Sequence, residues 1–353
     1  MIDWMRARRF AVSLISAAGA FTGCANNGTT TLDAPTTVAT VAATTPRASS
    51  AAAVPTTTLA VASGTTLAVT APDRAPNGRA APRAATSPAG LAAQIVGTER
   101  GLRDPATADS ARPDLGHLNQ LVYRTLSTKP EWDNAVLAAV PADLRPVVQT
   151  HLRARREFLE MRTTIGDTVP DWEIVEPRPV TALLGYYKEA EATTGIGWQY
   201  LAAINLVETG LGRINGLSTA GAIGPMQFLQ STWNEKGIGQ GDIRDPHDAI
   251  QAAARYLVRR GGPADMAKAL QGYNNHGNYV RAVSAYADLF KDDERSFHVV
   301  YQWEIYYLSQ IGDLWLPVGY RRPTTLAVAD YVKQAPWSAP APGSYVPPAP
   351  KAN

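Results

Sequence analysis

Cysteine is nearly absent from this chain, with one residue, Cys24, among 353. A single thiol excludes an internal disulfide framework and any cysteine-rich metal site. An excess of one charge is also missing. Lys and Arg number 33 against 31 Asp and Glu, a net of +2, which gives no electrostatic case for a nucleic-acid partner. The N-terminal apolar run, Phe10 to Phe21, is too short to cross a bilayer as a helix. No zinc-ligand spacing, phosphate loop or Ser-His-Asp constellation is evident, so no metal and no cofactor is expected. Nor is there a convincing hairpin or a period-2 run, which leaves an all-α reading for the folded part.

What is present divides the chain by composition. Arg6, Arg8 and Arg9 precede the apolar run, and residues 1–25 read as an export signal. Phe21-Thr22-Gly23-Cys24 resembles the bacterial lipobox, which implies a lipid on Cys24, membrane attachment and an envelope location. Phe21 stands where an aliphatic residue is usual, and Gly23-Cys24-Ala25 also suits ordinary cleavage and secretion. Residues 26–90 are rich in Thr, Ala, Pro and Ser, with scattered charges and no aromatic residue, too poor in apolar surface to offset their ordering entropy. As a flexible coil this linker of about 65 residues would span roughly 45 Å, as a tether or a plain spacer.

Residues 91–176 carry helical patterns, among them Leu115, Leu118, Val122 and Leu126. Arg153, Arg155, Arg156 and Arg162 form a basic face on a further helix, read as solvated surface. Gly166 to Pro179, with three prolines, reads as a connector lying over the next domain. A compact domain is expected at 177–290, with helices at 180–194, 197–209, 225–236, 246–260, 264–274 and 278–290. Asp245-Pro246 supplies an N-cap followed by a first-turn proline. The glycine-rich loop 210–224 has room for a short β-ribbon. In 291–335 the aromatics Phe297, Tyr301, Trp303, Tyr306, Tyr307 and Trp315 are expected to pack a terminal helix onto the domain. Residues 336–353 form a Pro-rich tail.

The stretch from Trp198 to Trp233 carries the chemistry. Leu201, Ile204 and Glu208 fall at i, i+3 and i+7, which puts the glutamate on the apolar face of its helix. Burial and the helix C-terminus both raise a carboxyl pKa, and an acid protonated near neutrality can donate to a glycosidic oxygen. The competing reading pairs Glu208 with Arg213 at the helix end. After the loop, a second helix is expected to open on Gly224-Pro225-Met226-Gln227, with Met226, Leu229 and Trp233 on one stripe.

Three separated segments, Glu208-Thr209, Gly224-Pro225-Met226-Gln227-Phe228 and Gly272-Tyr273-Asn274, follow in order with Ser218-Thr219-Ala220-Gly221-Ala222 between the first two. Together they resemble the soluble lytic transglycosylase (SLT) family, whose domain carries Glu-Ser, Gly-Leu-Met-Gln and Ala-Tyr-Asn. The resemblance covers about residues 180–290. It implies a lysozyme-like, mostly helical α+β fold and a peptidoglycan glycan-strand substrate. It implies that Glu208 is general acid and then base in cleavage of the MurNAc–GlcNAc β-1,4 bond, leaving a 1,6-anhydro end. Thr209, Met226, Gln227, Tyr273 and Asn274 are the implied substrate-binding residues. Thr209 keeps the hydroxyl of the family serine, and Pro225 replaces the family leucine. Asn275 and His276 intervene before Gly277, and His276 reads as a loop residue.

Two other readings stay open. A hydrolase resembling goose-type lysozyme would need a second carboxylate about 6.5–9.5 Å from the first, for which Asp242 and Asp245 are candidates. A non-catalytic glycan-binding envelope lipoprotein would not need the acid. Protein partners are not readable.

Overall fold

The computed structural model describes residues 74–161, 165–341 and 344–347. The export signal, Cys24 and the linker as far as residue 73 lie outside the described residues.

Helix boundaries follow local chemistry where a cap is written in the sequence. Ser87 accepts from the Gly90 amide at 3.2 Å with Pro88 in the first turn, which starts α1 (Pro88–Arg103). The helices α2 (Arg112–Ser127), α3 (Asp133–Ala139) and α4 (Arg145–Glu160) follow. An extended connector then holds β1 (Thr168–Val169) and β2 (Glu173–Ile174). Next come α5 (Val180–Thr194), α6 (Trp198–Thr209), β3 (Ile214–Asn215) and the single turn α7 (Gln230–Trp233). Asp245 caps α8 (Pro246–Arg259) by accepting from the amides of His247 and Asp248, as its sequence led one to expect. The chain continues through α9 (Met266–Tyr273), α10 (Gly277–Asp292) and α11 (Arg295–Tyr301). It ends in β4 (Ile305–Ser309), β5 (Gly312–Leu316), β6 (Leu326–Ala327) and α12 (Val328–Gln334).

Helix α6 sits at the centre. Leu201 through Thr209 are all buried, so this helix is enclosed on every side rather than amphipathic. Helices α5, α8 and α10 pack against it, and α10 in turn rests on α4 and α9. The main hydrophobic core runs from Leu91 in α1 to Trp303, straight through the boundaries expected near 176 and 290. Helix α4 is fastened to α10 by polar contacts as well: Asn278 donates to Glu157 and Glu160, and Arg281 makes a two-pronged pair with Glu157.

The described residues are mostly helical with only small strand pairs, as expected, and the departure after α11 is local. Instead of a terminal helix, β4 and β5 form an antiparallel hairpin, with Ile305 opposite Leu316 and Ser309 opposite Gly312. Every residue of β4 is buried, so no alternation of apolar and polar residues marked it as a strand. Around the hairpin lies a second core of Val169, Trp172, Ile174, Ile214, Ile305, Tyr307, Leu314, Leu316, Tyr320, Val328 and Tyr331. The connector expected over 166–179 contributes to it: β1 pairs with β6, and β2 pairs with β3 inside the glycine-rich loop. The expected ribbon therefore exists, but its partner strand comes from outside the loop.

The other departure is at the N-terminal side. Residues 74–87, read from composition as the end of the linker, are packed. Ala75 is buried beside Tyr306 and Trp315. Arg79 pairs with Glu304 and donates to Asp114 Oδ1 and the Pro113 carbonyl, both at 3.0 Å. Among the described residues no helix is long and apolar enough to cross a membrane.

Candidate active site

Glu208 lies in the last turn of α6, which Gly210 ends in a left-handed conformation at φ +60°. Its side chain is enclosed: the residue is 6% exposed. The Tyr279 phenol donates to Glu208 Oε1 at 2.8 Å from α10. Burial pushes the carboxyl pKa up to about 8, and the Tyr279 hydrogen bond, which favours the charged form, opposes part of that rise. The carboxyl is thus a neutral acid near pH 7. The pairing with Arg213 does not occur. Arg213 turns away, donating to the Tyr301 carbonyl at 2.6 Å and lying 3.8 Å from Glu176.

The segment expected to open a helix at Gly224 instead makes a tight turn. Ile223 and Phe228 exchange both backbone hydrogen bonds, at 2.8 and 3.0 Å, and the helix starts only at Gln230. Gly224 is at φ +75°, and a Cβ there would come within 2.0 Å of the Ile243 carbonyl oxygen. Gln227 is at φ +49°, a left-handed conformation that a glutamine holds only against strain. Its amide donates to the Gly224 carbonyl at 2.9 Å. The stripe of Met226, Leu229 and Trp233 is consequently absent. Met226 is fully buried in the main core while Leu229 is 40% exposed.

This turn is fastened to the acid helix and to α9. The Pro225 carbonyl accepts from Thr209 Oγ1 at 2.6 Å and from Asn205 Nδ2 at 2.9 Å. Tyr187 donates to Asn205 Oδ1 at 2.7 Å, which orients that amide. The Met226 carbonyl accepts from the Tyr273 phenol at 2.6 Å. Burial first, and then the charge of Glu208, push the Tyr273 phenol well above its usual pKa, so it stays a donor. The three sequence segments therefore meet: the acid helix holds the turn through Thr209, and Tyr273 holds it from the opposite side. Asn274 caps the end of α9 and is buried. Its Oδ1 has no hydrogen-bond partner among the described residues. His276 caps α10, its Nδ1 accepting from the Asn278 amide at 3.2 Å.

Two participants escaped the sequence reading. Tyr279 sits two residues beyond the altered loop after the Tyr-Asn pair, and nothing at that spacing signals a contact with Glu208. Asn205 lies among apolar residues of α6 and reads as filler until its partners Tyr187, Pro225 and Thr209 are seen. A cavity of about 60 Å³, lined in part by Phe158, Tyr286 and Trp303, touches α6 through Leu206 and Val207, not Glu208.

Asp242 and Asp245, the candidates for a second carboxylate, are engaged within their own loop. Asp242 Oδ1 accepts from the Arg244 amide at 2.8 Å, and Asp245 caps α8. Asp245, His247 and Asp248 cluster closely enough to share an ion. All three are hydrogen-bonded in place, His247 between Glu189 and Asp248.

Compared with known protein families, residues 185–295 match the family described as the transglycosylase SLT domain. No curated protein and no solved structure matches the chain.

Proposed function

We propose, from the match of residues 185–295 to the transglycosylase SLT domain, an activity of the lytic transglycosylase type on peptidoglycan and, within it, a specific reaction. The chain cleaves the MurNAc–GlcNAc β-1,4 bond without water and leaves a 1,6-anhydro-MurNAc end. The observation that carries this reading is the buried carboxyl of Glu208, held by the Tyr279 phenol at 2.8 Å beside the turn that Thr209 and Tyr273 fasten.

In the proposed reaction the protonated Glu208 gives its proton to the glycosidic oxygen as the C1–O bond breaks. The N-acetyl group of the same sugar supports the anomeric carbon, a recognised alternative to a second carboxylate. The 6-hydroxyl then attacks C1, and the Glu208 carboxylate takes its proton back. One group serves as acid and base in turn, which requires a pKa near the working pH. Thr209, Met226, Gln227, Tyr273 and Asn274 form or support the glycan groove, with Tyr273, Thr209 and the buried Met226 acting through the 223–228 turn. Export and lipid attachment at Cys24 complete the proposal and rest on the basic leader and the Phe21-Thr22-Gly23-Cys24 pattern.

Mass spectrometry of products from purified peptidoglycan tests it, with Glu208→Gln as control. Anhydro ends, lighter by one water than reducing ends, are expected from the unaltered chain and none from the variant. Reducing ends would make the protein a hydrolase, and retention of glycan without products would make it a binding module.

A further inference from the structure

The loop that follows the acid is held from outside the matched domain. Strand β3 at its start pairs with β2, Ile214 opposite Ile174 and Asn215 opposite Glu173. The Val175 amide donates to the Arg213 carbonyl at 2.9 Å, and Arg213 itself is anchored on Tyr301. Ile305 of the hairpin closes on Gly210, where a Cβ would lie 2.5 Å from Ile305 Cδ1. Beyond the strand the indole of Trp172 lies directly on Gly216. A Cβ at Gly216 would approach Trp172 Cδ1 to 2.1 Å, so no larger residue fits beneath the ring. The indole N–H donates to the Leu217 carbonyl at 3.2 Å.

Trp172 is itself 3% exposed and fixed from behind. Its ring meets Tyr307 edge-on at 6.0 Å, and its carbonyl accepts from the Arg322 amide at 3.0 Å. Past Leu217 the chain closes into a turn on Ser218, whose Oγ accepts from the Ala222 amide at 2.9 Å. The loop thus leaves the clamp tied by hydrogen bonds on both sides of Leu217, which stands 55% exposed on it. Trp172, Val175, Tyr301, Ile305 and Tyr307 all lie outside residues 185–295. A second core with its own hairpin thus backs the single loop that joins Glu208 to the Met226 turn.

We infer that Trp172 is a positioning residue for glycan binding, clamping the loop 210–222 so that it forms one fixed wall of the groove. The inference rests on the glycan substrate proposed above. Ordering of a binding loop before the ligand arrives improves affinity by lowering the ordering cost at binding.

The test uses the full chain carrying Glu208→Gln, with Trp172→Phe or Trp172→Ala added. Amide hydrogen exchange across 210–222 reads the clamp without reference to activity, and the Kd for soluble glycan strands reads its consequence. With Trp172→Ala, exchange in 210–222 is expected to quicken by about tenfold or more while α8 and α10 keep their protection. Glycan Kd is expected to rise about tenfold, with Trp172→Phe intermediate because it keeps a ring and loses the N–H donor. In the active chain the same change raises KM and leaves kcat and the alkaline limb of the pH profile in place. Unchanged exchange, or a Kd within about twofold of the parent, overturns the inference. If Trp172→Ala does not fold, Trp172→Phe decides by the same two readings. If the parent neither binds nor cleaves glycan, the proposed substrate fails, and the exchange result alone says whether Trp172 holds the loop.

Discussion

The Tyr279 phenol and Glu208 Oε1 are 71 residues apart in the chain and 2.8 Å apart in space, in a buried contact. Burial raises the carboxyl pKa, and this one hydrogen bond restrains the rise. Tyr279→Phe removes the restraint and leaves the burial, so the pKa of Glu208 moves further up. The alkaline limb of the pH–rate profile should shift to higher pH, and kcat should fall roughly tenfold as the carboxyl loses its orientation. Profiles measured on soluble glycan strands decide the matter. A limb that stays in place would count against the assignment.

The same raised pKa has a cost in stability. An acid whose folded-state pKa of about 8 exceeds its ordinary 4.5 contributes its full stability below the lower value and loses it progressively as pH rises from there to about 8. Glu208→Gln removes the titration. The variant should match the unaltered chain at pH 4 and exceed it above pH 8, by on the order of a few kcal/mol. Urea unfolding of both proteins at several pH values measures the gap. Parallel curves across the whole range would mean that Glu208 is not titrating as its burial requires.

Thr209 offers a sharper comparison. Its hydroxyl donates to the Pro225 carbonyl and accepts from the Gly212 amide at 3.0 Å, so it ties both sides of the loop to α6. Thr209→Ser keeps both bonds and should retain activity within about threefold. Thr209→Ala leaves one buried and one half-buried backbone group without this partner and should cost on the order of 1–3 kcal/mol, with lower activity. Thermal unfolding and initial rates of the two variants separate the hydroxyl from the methyl.

Gly224 allows one residue type. With φ at +75° and the Ile243 carbonyl where a Cβ would sit, Gly224→Ala should destabilise by on the order of 3 kcal/mol and open the turn that Tyr273 and Thr209 hold. A variant with unaltered stability would show that the turn relaxes freely.

A chain beginning at residue 91 retains every helix from α2 onward but loses the start of α1 and Arg79. Glu304, 8% exposed, would then keep Trp315 at 3.4 Å and lose its cation. Arg79→Ala alone should cost on the order of 2 kcal/mol, and truncation to residue 91 should cost more. Denaturant titration of both against a chain starting at residue 74 checks the order.

How legible this was differs by element. Helices α5, α6, α8 and α10 were visible because caps and glycines punctuate them, Asp245-Pro246 and Gly210 above all. The motif order led to Glu208, Tyr273 and the Gly224 turn together. The turn's shape was hidden, since Pro225 suits a helix start as well as it suits a bend, and only Gln227 in a left-handed conformation distinguishes them. The hairpin 305–316 was hidden because a strand buried on both faces loses its period. Residues 74–87 have the composition of a linker, and what packs them is distant in sequence: Ala75 meets Tyr306 and Trp315, and Arg79 meets a glutamate 225 positions later. Tyr279 was beyond reach for the same reason: a contact between distant segments leaves no local pattern.

Helix α6 is enclosed on all sides, and its consequence reaches past stability. An acid carried on such a helix has no swing of its own. In the proposed reaction it must nevertheless serve two oxygens in turn, the leaving one and then the 6-hydroxyl. With Glu208 stationary, the travel between those two events belongs to the sugar. The ring must pivot on its own bonds to bring each oxygen to the same fixed point.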